Sequence, residues 1–290
     1  MTLAADLKTL RNIVWNRARG ADHATRMEDF YGRQAATYDD FRERMLRGRQ
    51  ELYNSLPTPN GGVWIEMGGG TGRNLEFLGE RIAKLRKVYI VDLSRSMLGV
   101  AKERIARKRW TNVEAVEADA TTFQPAEGAA DVVTFSYSLT MIPPWFEALD
   151  HARSLLKPGG AIGVVDFHVA RKHPASDFAR HSLFTRSFWP FLFGIGNVFT
   201  SADHLPYLDR CFERTQLFES RLKLPYVPLL RVPYYIFSGK RSSGPVIETH
   251  PETSPSFGRQ HAFQVGSFDP HSPAEVRAGQ SQSGKDEQNH

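Results

Sequence analysis

An acid closing an apolar run, followed by four glycines in six residues, marks the stretch of this chain best suited to chemistry: Val63-Trp-Ile-Glu-Met-Gly-Gly-Gly-Thr-Gly-Arg-Asn74. Glycines at Gly68, Gly69, Gly70 and Gly72 permit positive φ and let a ligand approach main-chain N–H groups. A dinucleotide turn needs Gly-x-Gly-x-x-Gly. Here the pair Gly68 and Gly70 is followed at the required position by Arg73, and the pair Gly70 and Gly72 by Leu75, so that pattern fails. The carboxylate of Glu66 would also repel a pyrophosphate, whereas it suits a ligand carrying an ammonium group.

A second acid sharpens the reading. Val88-Tyr-Ile-Val-Asp92 is another apolar run ending in a carboxylate, placed where nucleoside-binding sheets hold ribose hydroxyls. A cofactor with an ammonium, a sulfonium and a ribose fits both acids, and that cofactor is S-adenosylmethionine. The elements positioning these acids alternate: strands are expected at Val63–Met67, Val88–Val91, Val113–Glu117, Asp131–Phe135 and Ala161–Asp166. Helices are expected between them near Asn74–Leu85 and Ser96–Arg107, with another starting near Pro144. This alternation predicts an α/β doubly wound sheet, Rossmann-like, with its ligand at the carboxyl edge. Residues 1–56 read as an N-terminal helical cap, residues 57–241 as the catalytic domain with an aromatic-rich insertion from His168 to about Phe212, and residues 242–290 as a disordered tail. Two further strands, near Leu217–Lys223 and Pro233–Gly239, would complete the sheet with an antiparallel edge.

The charge is uneven. Lys and Arg number 37 against 32 acids, yet after Arg241 there are six acids and three bases, so the basic character lies in the body. Basicity serves anionic membranes and nucleic acids equally. The single cysteine, Cys211, excludes an internal disulfide and fits a reducing compartment. No stretch approaches 18 apolar residues, so the expectation is a cytoplasmic protein that associates peripherally with membranes.

Beyond the cofactor motifs, several segments resemble one methyltransferase family of class I, the enzymes that N-methylate diacylglyceryl homoserine to a betaine lipid. They are Tyr38-Asp-Asp-Phe-Arg-Glu-Arg-Met-Leu-Arg-Gly-Arg49, Thr134-Phe-Ser-Tyr-Ser-Leu-Thr-Met-Ile-Pro143, Val164-Val-Asp-Phe167, Asp203-His-Leu-Pro-Tyr-Leu208, Leu224-Pro-Tyr-Val-Pro228 and Val232-Pro-Tyr-Tyr235. The likeness runs from about Phe30 to Arg241; the family pattern has His where Arg47 stands and an acid where Gly196 stands. By this resemblance Glu66, Gly68 and Gly70 meet the methionine part of the cofactor, Asp92 the ribose, and Asp119 with Ala120 the adenine edge. Ser136 and Tyr137 then face the transferred methyl. The implied substrate is a lipid with a primary amine, and coupling to the enzyme that makes diacylglyceryl homoserine follows from it.

Methyl transfer to an amine needs a neutral nitrogen held in line, and Tyr38, Tyr137 and His168 are the proton acceptors in range of the motifs. A trimethylated product cannot donate hydrogen bonds and is held against aromatic faces, for which Tyr137, Trp145, Phe167, Tyr226, Tyr234 and Tyr235 are available. Arg42, Arg44 and Arg49 could pair with the homoserine carboxylate, or with Asp39, Asp40 and Glu43 on a solvated helix. The histidines lack His-Glu-x-x-His spacing and cysteines are unpaired, so no metal is expected. Ile142-Pro-Pro-Trp145 is similar to the Asn/Asp-Pro-Pro-aromatic box of methyltransferases acting on nucleic-acid bases, but Ile142 cannot accept from a target amine, so no nucleic-acid partner is expected. For reaching a bilayer, the amphipathic N-terminus with Trp15 and the run Ser182–Phe199 are the two interfacial segments. The rival readings are a phosphatidylethanolamine or small-amine methyltransferase, a noncatalytic cofactor- or partner-binding module, and, more distantly, a nicotinamide enzyme.

Overall fold

The computed structural model of the protein describes Thr25, Glu28, Asp39 and residues 45–242 except 196, 225 and 226. By contacts the chain divides into Met1–Pro245 and Val246–His290; the second unit, and with it nearly all of the expected tail, lies outside the described residues. The N-terminal cap is described from Met45 onward, together with the three isolated positions before it.

Seven strands form one sheet: β1 (Val63–Met67), β2 (Lys87–Asp92), β3 (Val113–Glu117), β4 (Ala130–Ser136), β5 (Leu156–Phe167), β6 (Glu213–Leu224) and β7 (Val227–Lys240). Their order is β3-β2-β1-β4-β5-β7-β6. The first five strands run parallel, and β7 enters antiparallel between β5 and β6. The last two strands are thus longer than their apolar runs suggested, because ladder hydrogen bonds extend pairing into the polar flanks at Glu213 and Lys240.

Helices α1 (Arg49–Ser55), α2 (Arg95–Lys108), α3 (Trp145–Leu155), α4 (Leu183–Ile195) and α5 (His204–Cys211) cover the sheet. The segment after the glycine turn, Arg73–Lys84, is a 3₁₀ run interrupted by Gly79 at φ 54° and ψ −133°. A helical pattern was expected there; the non-helical glycine breaks the repeat and tightens the turns on either side.

Strand alternation separates two cores, one on each face. On the first face Trp64, Val88, Ile90, Val132 and Val165 pack under α1, the 3₁₀ run, α2 and α4. Tyr53 of α1 stacks on Trp64 with ring centroids 5.6 Å apart, and the Trp64 indole N–H donates to Thr134 Oγ1 at 3.1 Å. On the second face Ile65, Val91, Phe135, Ile162, Val164 and Phe237 pack under α3 and α5. Burial on both faces explains why these strands are nearly continuous apolar runs broken only by the acids at their ends.

Candidate active site

The carboxyl edge gathers the strand-end groups. Glu66 shares its face of β1 with Trp64, Asp92 shares its face of β2 with Val88 and Ile90, and Ser136 shares its face of β4 with Val132. All three therefore lie on the first face. Glu66 is fully buried, and its Oε1 accepts from Asn74 Nδ2 at 2.6 Å. Asn74 Oδ1 in turn accepts from Arg49 Nη1 at 3.0 Å, while Arg49 Nε donates to the Leu46 carbonyl at 3.0 Å. Arg49, expected at a lipid carboxylate, is 3% exposed and belongs to this chain of bonds behind the first acid. Nothing in the sequence motif names Asn74; its signal is a polar residue in the first turn after the glycines, where an apolar one would otherwise pack.

The glycine turn is dictated by packing as much as by ligand access. Gly68, Gly70 and Gly72 have φ of 66°, 56° and 66°. A Cβ on Gly68 would lie 2.5 Å from Ser138 Cβ, and one on Gly72 would lie 2.5 Å from Ile90 Cδ1. At these two positions the neighbouring loop and strand exclude a side chain by themselves. The turn is tied to β2 by Gly69 N–H donating to the Val91 carbonyl at 3.0 Å and Gly70 N–H donating to Asp92 Oδ2 at 2.8 Å. Asp92 Oδ1 accepts from Ser94 N–H at 2.9 Å. These bonds fix the Asp92 carboxylate beside the glycine turn at the end of β2.

Sequence reasoning also missed how firmly the turn is clamped from outside. Arg104 of α2 is 5% exposed; it donates through Nη1 to the Thr71 carbonyl, through Nε to Glu76 Oε1 at 3.0 Å and through Nη2 to Asp39 Oδ2. Thr71 Oγ1 donates to Asp39 Oδ1 at 2.6 Å. A second N-terminal acid, Glu28, accepts from Ser94 Oγ at 2.8 Å and from Ser96, beside the Asp92 turn; these hydroxyls and N–H groups draw its carboxyl below the ordinary value against the opposing effect of burial. Asp119 caps its own turn: Oδ1 accepts from Thr121 N–H at 2.8 Å and Thr121 Oγ1 at 2.7 Å, with Ala120 buried beside it.

At the end of β4 the backbone reverses through Tyr137 at φ 54°, a left-handed conformation that costs a tyrosine about 1–3 kcal/mol. Surrounding bonds hold it there. Tyr137 N–H donates to the Val165 carbonyl and its hydroxyl to the Arg47 carbonyl, both at 2.7 Å. Ser138 Oγ donates to the Met67 carbonyl at 2.9 Å, and Asp166 Oδ1 accepts from Thr140 Oγ1 at 2.8 Å. Asp166 is fully buried, and burial raises its pKa to about 6 against the lowering effect of these hydrogen bonds. The Tyr137 ring meets Phe167 at 4.7 Å, Phe167 stacks on Phe193 at 4.9 Å, and Trp189 lies 5.4 Å from Phe193. Tyr234 joins the same core.

The remaining expected residues go elsewhere. His168, Tyr235 and Trp145 lie on the second face: His168 packs edge-on to Tyr235 at 5.3 Å, and Trp145 edge-on to His204 at 4.8 Å. The structure therefore brings Tyr137 to the face carrying Glu66, Asp92 and Ser136 but does not bring His168 there. Alternation along β5, which puts Val164, Asp166 and His168 on one side, is the physical reason. Tyr38, Arg42 and Arg44 lie outside the described residues, as does the side chain of Tyr226. Among the described residues no group of three His, Cys, Asp or Glu side chains could hold a metal.

The residues present fit S-adenosylmethionine, with one buried acid for its ammonium, one hydrogen-bonded acid for its ribose, and a positive-φ turn between them. Residues 65–160 match the methyltransferase domain family. A ubiquinone/menaquinone biosynthesis C-methyltransferase UbiE from Brucella anthropi is 29% identical over 150 residues, covering 49% of this chain and 57% of that one. The chain thus spans little more than half the length of the curated relatives it matches. Among solved structures, the N-methyltransferase NodS from Bradyrhizobium japonicum in complex with S-adenosyl-L-homocysteine has a TM-score of 0.52 at 16% identity, covering 76% of this chain and 99% of that one. Haemonchus contortus phosphoethanolamine N-methyltransferase 2 gives 0.54 at 14% identity, covering 74% and 60%. At such identities the likeness is one of fold. Domain match, sheet order and strand-end acids agree: this chain carries an S-adenosylmethionine-dependent methyltransferase domain of the class I, Rossmann-like fold.

Proposed function

We propose that the protein methylates the amine of a membrane lipid, diacylglyceryl homoserine, in three steps that end in a betaine lipid. The observation carrying this reading is the two-sidedness of α4. Its outer positions Leu183, Phe184 and Phe191 are 71%, 62% and 72% exposed, with Ile195 beside them and Phe199 just beyond the helix also exposed. Its inner positions Trp189 and Phe193 continue through Phe167 to Tyr137 at the end of β4. An apolar surface of this kind marks an interaction site, and here it adjoins the chain of aromatic rings that reaches Tyr137. Among the described residues no helix is long and apolar enough to cross a membrane, so contact would be peripheral.

Bound S-adenosylmethionine supplies a methyl group activated by its sulfonium. The protein supplies position, which is worth up to about 7–11 kcal/mol in favourable cases. The Tyr137 hydroxyl donates to the Arg47 carbonyl, which fixes the ring, so the residue would present its ring face to an incoming amine. Tyr137, Phe167 and Phe193 can surround a growing methylammonium group, each ring contributing about 0.5–2 kcal/mol. The curated relatives favour a second reading, C-methylation of a quinone precursor, which an apolar helix would serve equally.

Mass spectrometry of lipid extracts tests the proposal. The chain is expressed with and without the enzyme that makes diacylglyceryl homoserine. Mono-, di- and trimethylated homoserine lipid is expected only in the combined strain; methylated phosphatidylethanolamine or a methylated quinone in its place would replace the reading with one of its rivals.

A further inference from the structure

Asp92 stands at the middle of a hydrogen-bonded chain whose two ends are acids from far upstream. Its Oδ2 accepts from Gly70 N–H at 2.8 Å and its Oδ1 from Ser94 N–H at 2.9 Å, so the carboxylate ties the glycine turn after β1 to the turn between β2 and α2. Each turn is also held by an N-terminal carboxylate. Glu28 accepts from Ser94 Oγ at 2.8 Å, from Ser96 N–H at 3.2 Å and from Ser96 Oγ. Asp39 accepts from Thr71 Oγ1 at 2.6 Å and from Arg104, which also donates to the Thr71 carbonyl. The path runs Glu28, Ser94, Asp92, Gly70, Thr71, Asp39; every step is a hydrogen bond except the peptide link between Gly70 and Thr71.

Burial of the two relay residues decides what these acids can do. Ser94 and Thr71 are fully buried. Ser94 Oγ accepts from Met97 N–H at 3.3 Å as the cap of α2, so its one proton is committed to Glu28. Removing the Glu28 carboxylate leaves that buried hydroxyl without its acceptor and free to rotate. A carboxylate near a helix N-terminus is stabilising by itself, and on that ground alone Glu28 would add to stability and to nothing else. What distinguishes this arrangement is that both acids lead to the same residue, the carboxylate expected to hold the ribose.

We infer that Glu28 and Asp39 are positioning residues for the cofactor, acting through Ser94 and Thr71 to set the Asp92 carboxylate and the glycine turn. This role depends on Asp92 and the glycines forming the S-adenosylmethionine site. Seating of the two acids and binding of the cofactor are then coupled, and by linkage each strengthens the other.

S-adenosylhomocysteine is the probe, titrated by calorimetry into the full chain well below its melting temperature, which is measured in parallel. Glu28→Ala should weaken binding about fivefold or more, the lower end of typical coupling between sites. Glu28→Gln keeps one acceptor oxygen and should recover part of that loss. Asp39→Asn should weaken binding as well; if it fails to fold, the Glu28 variants decide alone. Glu114→Gln removes an equal charge at the amino-terminal end of β3, where Glu114 pairs with Lys87, and should bind as wild type does. In a Ser94→Ala background Glu28→Ala should cost little more, because the relay is already cut. Asp92→Ala separates the two readings. If it binds like wild type, the cofactor site is misplaced and the positioning role falls with it. If Asp92→Ala binds weakly while Glu28→Ala loses only melting temperature, Glu28 is structural and the assignment is overturned. Full additivity of Glu28→Ala with Ser94→Ala, or an equal loss of affinity in Glu114→Gln, would overturn it too.

Discussion

The backbone N–H of Gly70 donates to the side chain of Asp92 at 2.8 Å, so the acid at the end of β2 shapes the glycine turn, and in the proposed cofactor site it also holds the ribose. Replacing Asp92 with Ala removes both roles. A charged hydrogen bond is worth about 1.5–3 kcal/mol, so S-adenosylmethionine affinity should fall roughly ten- to a hundredfold by calorimetry. Asp92→Asn keeps an acceptor for Gly70 and should fall less. Equal affinity in wild type and Asp92→Ala would remove Asp92 from the cofactor site.

Arg104 links three segments through buried bonds to Thr71, Glu76 and Asp39, and its replacement by Gln should loosen the cofactor turn. Breaking a buried charged network typically costs about 3–5 kcal/mol. For a domain of this size that corresponds to a melting temperature lower by about 6–20 °C. Hydrogen exchange at Gly69, Gly70 and Gly72 should accelerate relative to the β5 amides. Unchanged exchange at the glycines would show that the turn is held without the arginine.

Buried neutral histidines make the fold acid-sensitive. Burial lowers the pKa of His168 to about 3 and of His204 to about 4. For a group whose folded pKa is depressed, the stabilising contribution is full above the unfolded value near 6.5 and is lost as pH falls towards the folded value. At pH 5.5 each should therefore cost about 1.4 kcal/mol relative to pH 7.5. Asp166 acts oppositely: with its pKa raised to about 6, its contribution is full below the ordinary carboxyl value and is lost as pH rises through about 6. Between pH 7.5 and 5.5 the histidines dominate, so urea midpoints should fall on acidification. His204→Phe keeps a ring against Trp145 and should reduce that fall; an identical pH dependence in the variant would contradict the burial argument.

The exposed face of α4 should bind bilayers. Phe184→Ser and Phe191→Ser alter side chains that are 62% and 72% exposed, so stability should change by less than about 0.5 kcal/mol. Burying a phenylalanine in an apolar phase is worth about 1.5–3 kcal/mol, so each change should weaken vesicle cosedimentation roughly tenfold or more. Undiminished binding by the double variant would move the membrane contact elsewhere.

The sequence made the parallel sheet readable because runs such as Val63–Met67 and Lys87–Asp92 are buried on both faces and therefore apolar at nearly every position. The strand-end acids stood out against that background for the same reason. Partners that depend on tertiary contact were not readable: Arg104 meets Thr71 across 33 residues and Arg49 meets Asn74 across 25, and neither spacing has a local signature. His168 shows a different limit. Its position just past a strand suggested catalysis, whereas the alternation of β5 and the pairing of Asp166 with Tyr235 turn it to the opposite face. The bend at Tyr137 was hidden because a left-handed tyrosine has no sequence marker; it depends on the Val165 and Arg47 carbonyls to hold it.

The most direct test of lipid-amine methylation uses purified full chain, S-adenosylmethionine and anionic vesicles containing equal amounts of diacylglyceryl homoserine and phosphatidylethanolamine, read by mass spectrometry over time. The homoserine lipid should gain one, two and then three methyl groups, while phosphatidylethanolamine stays largely unmodified. Efficient methylation of phosphatidylethanolamine with no product from the homoserine lipid would contradict the account.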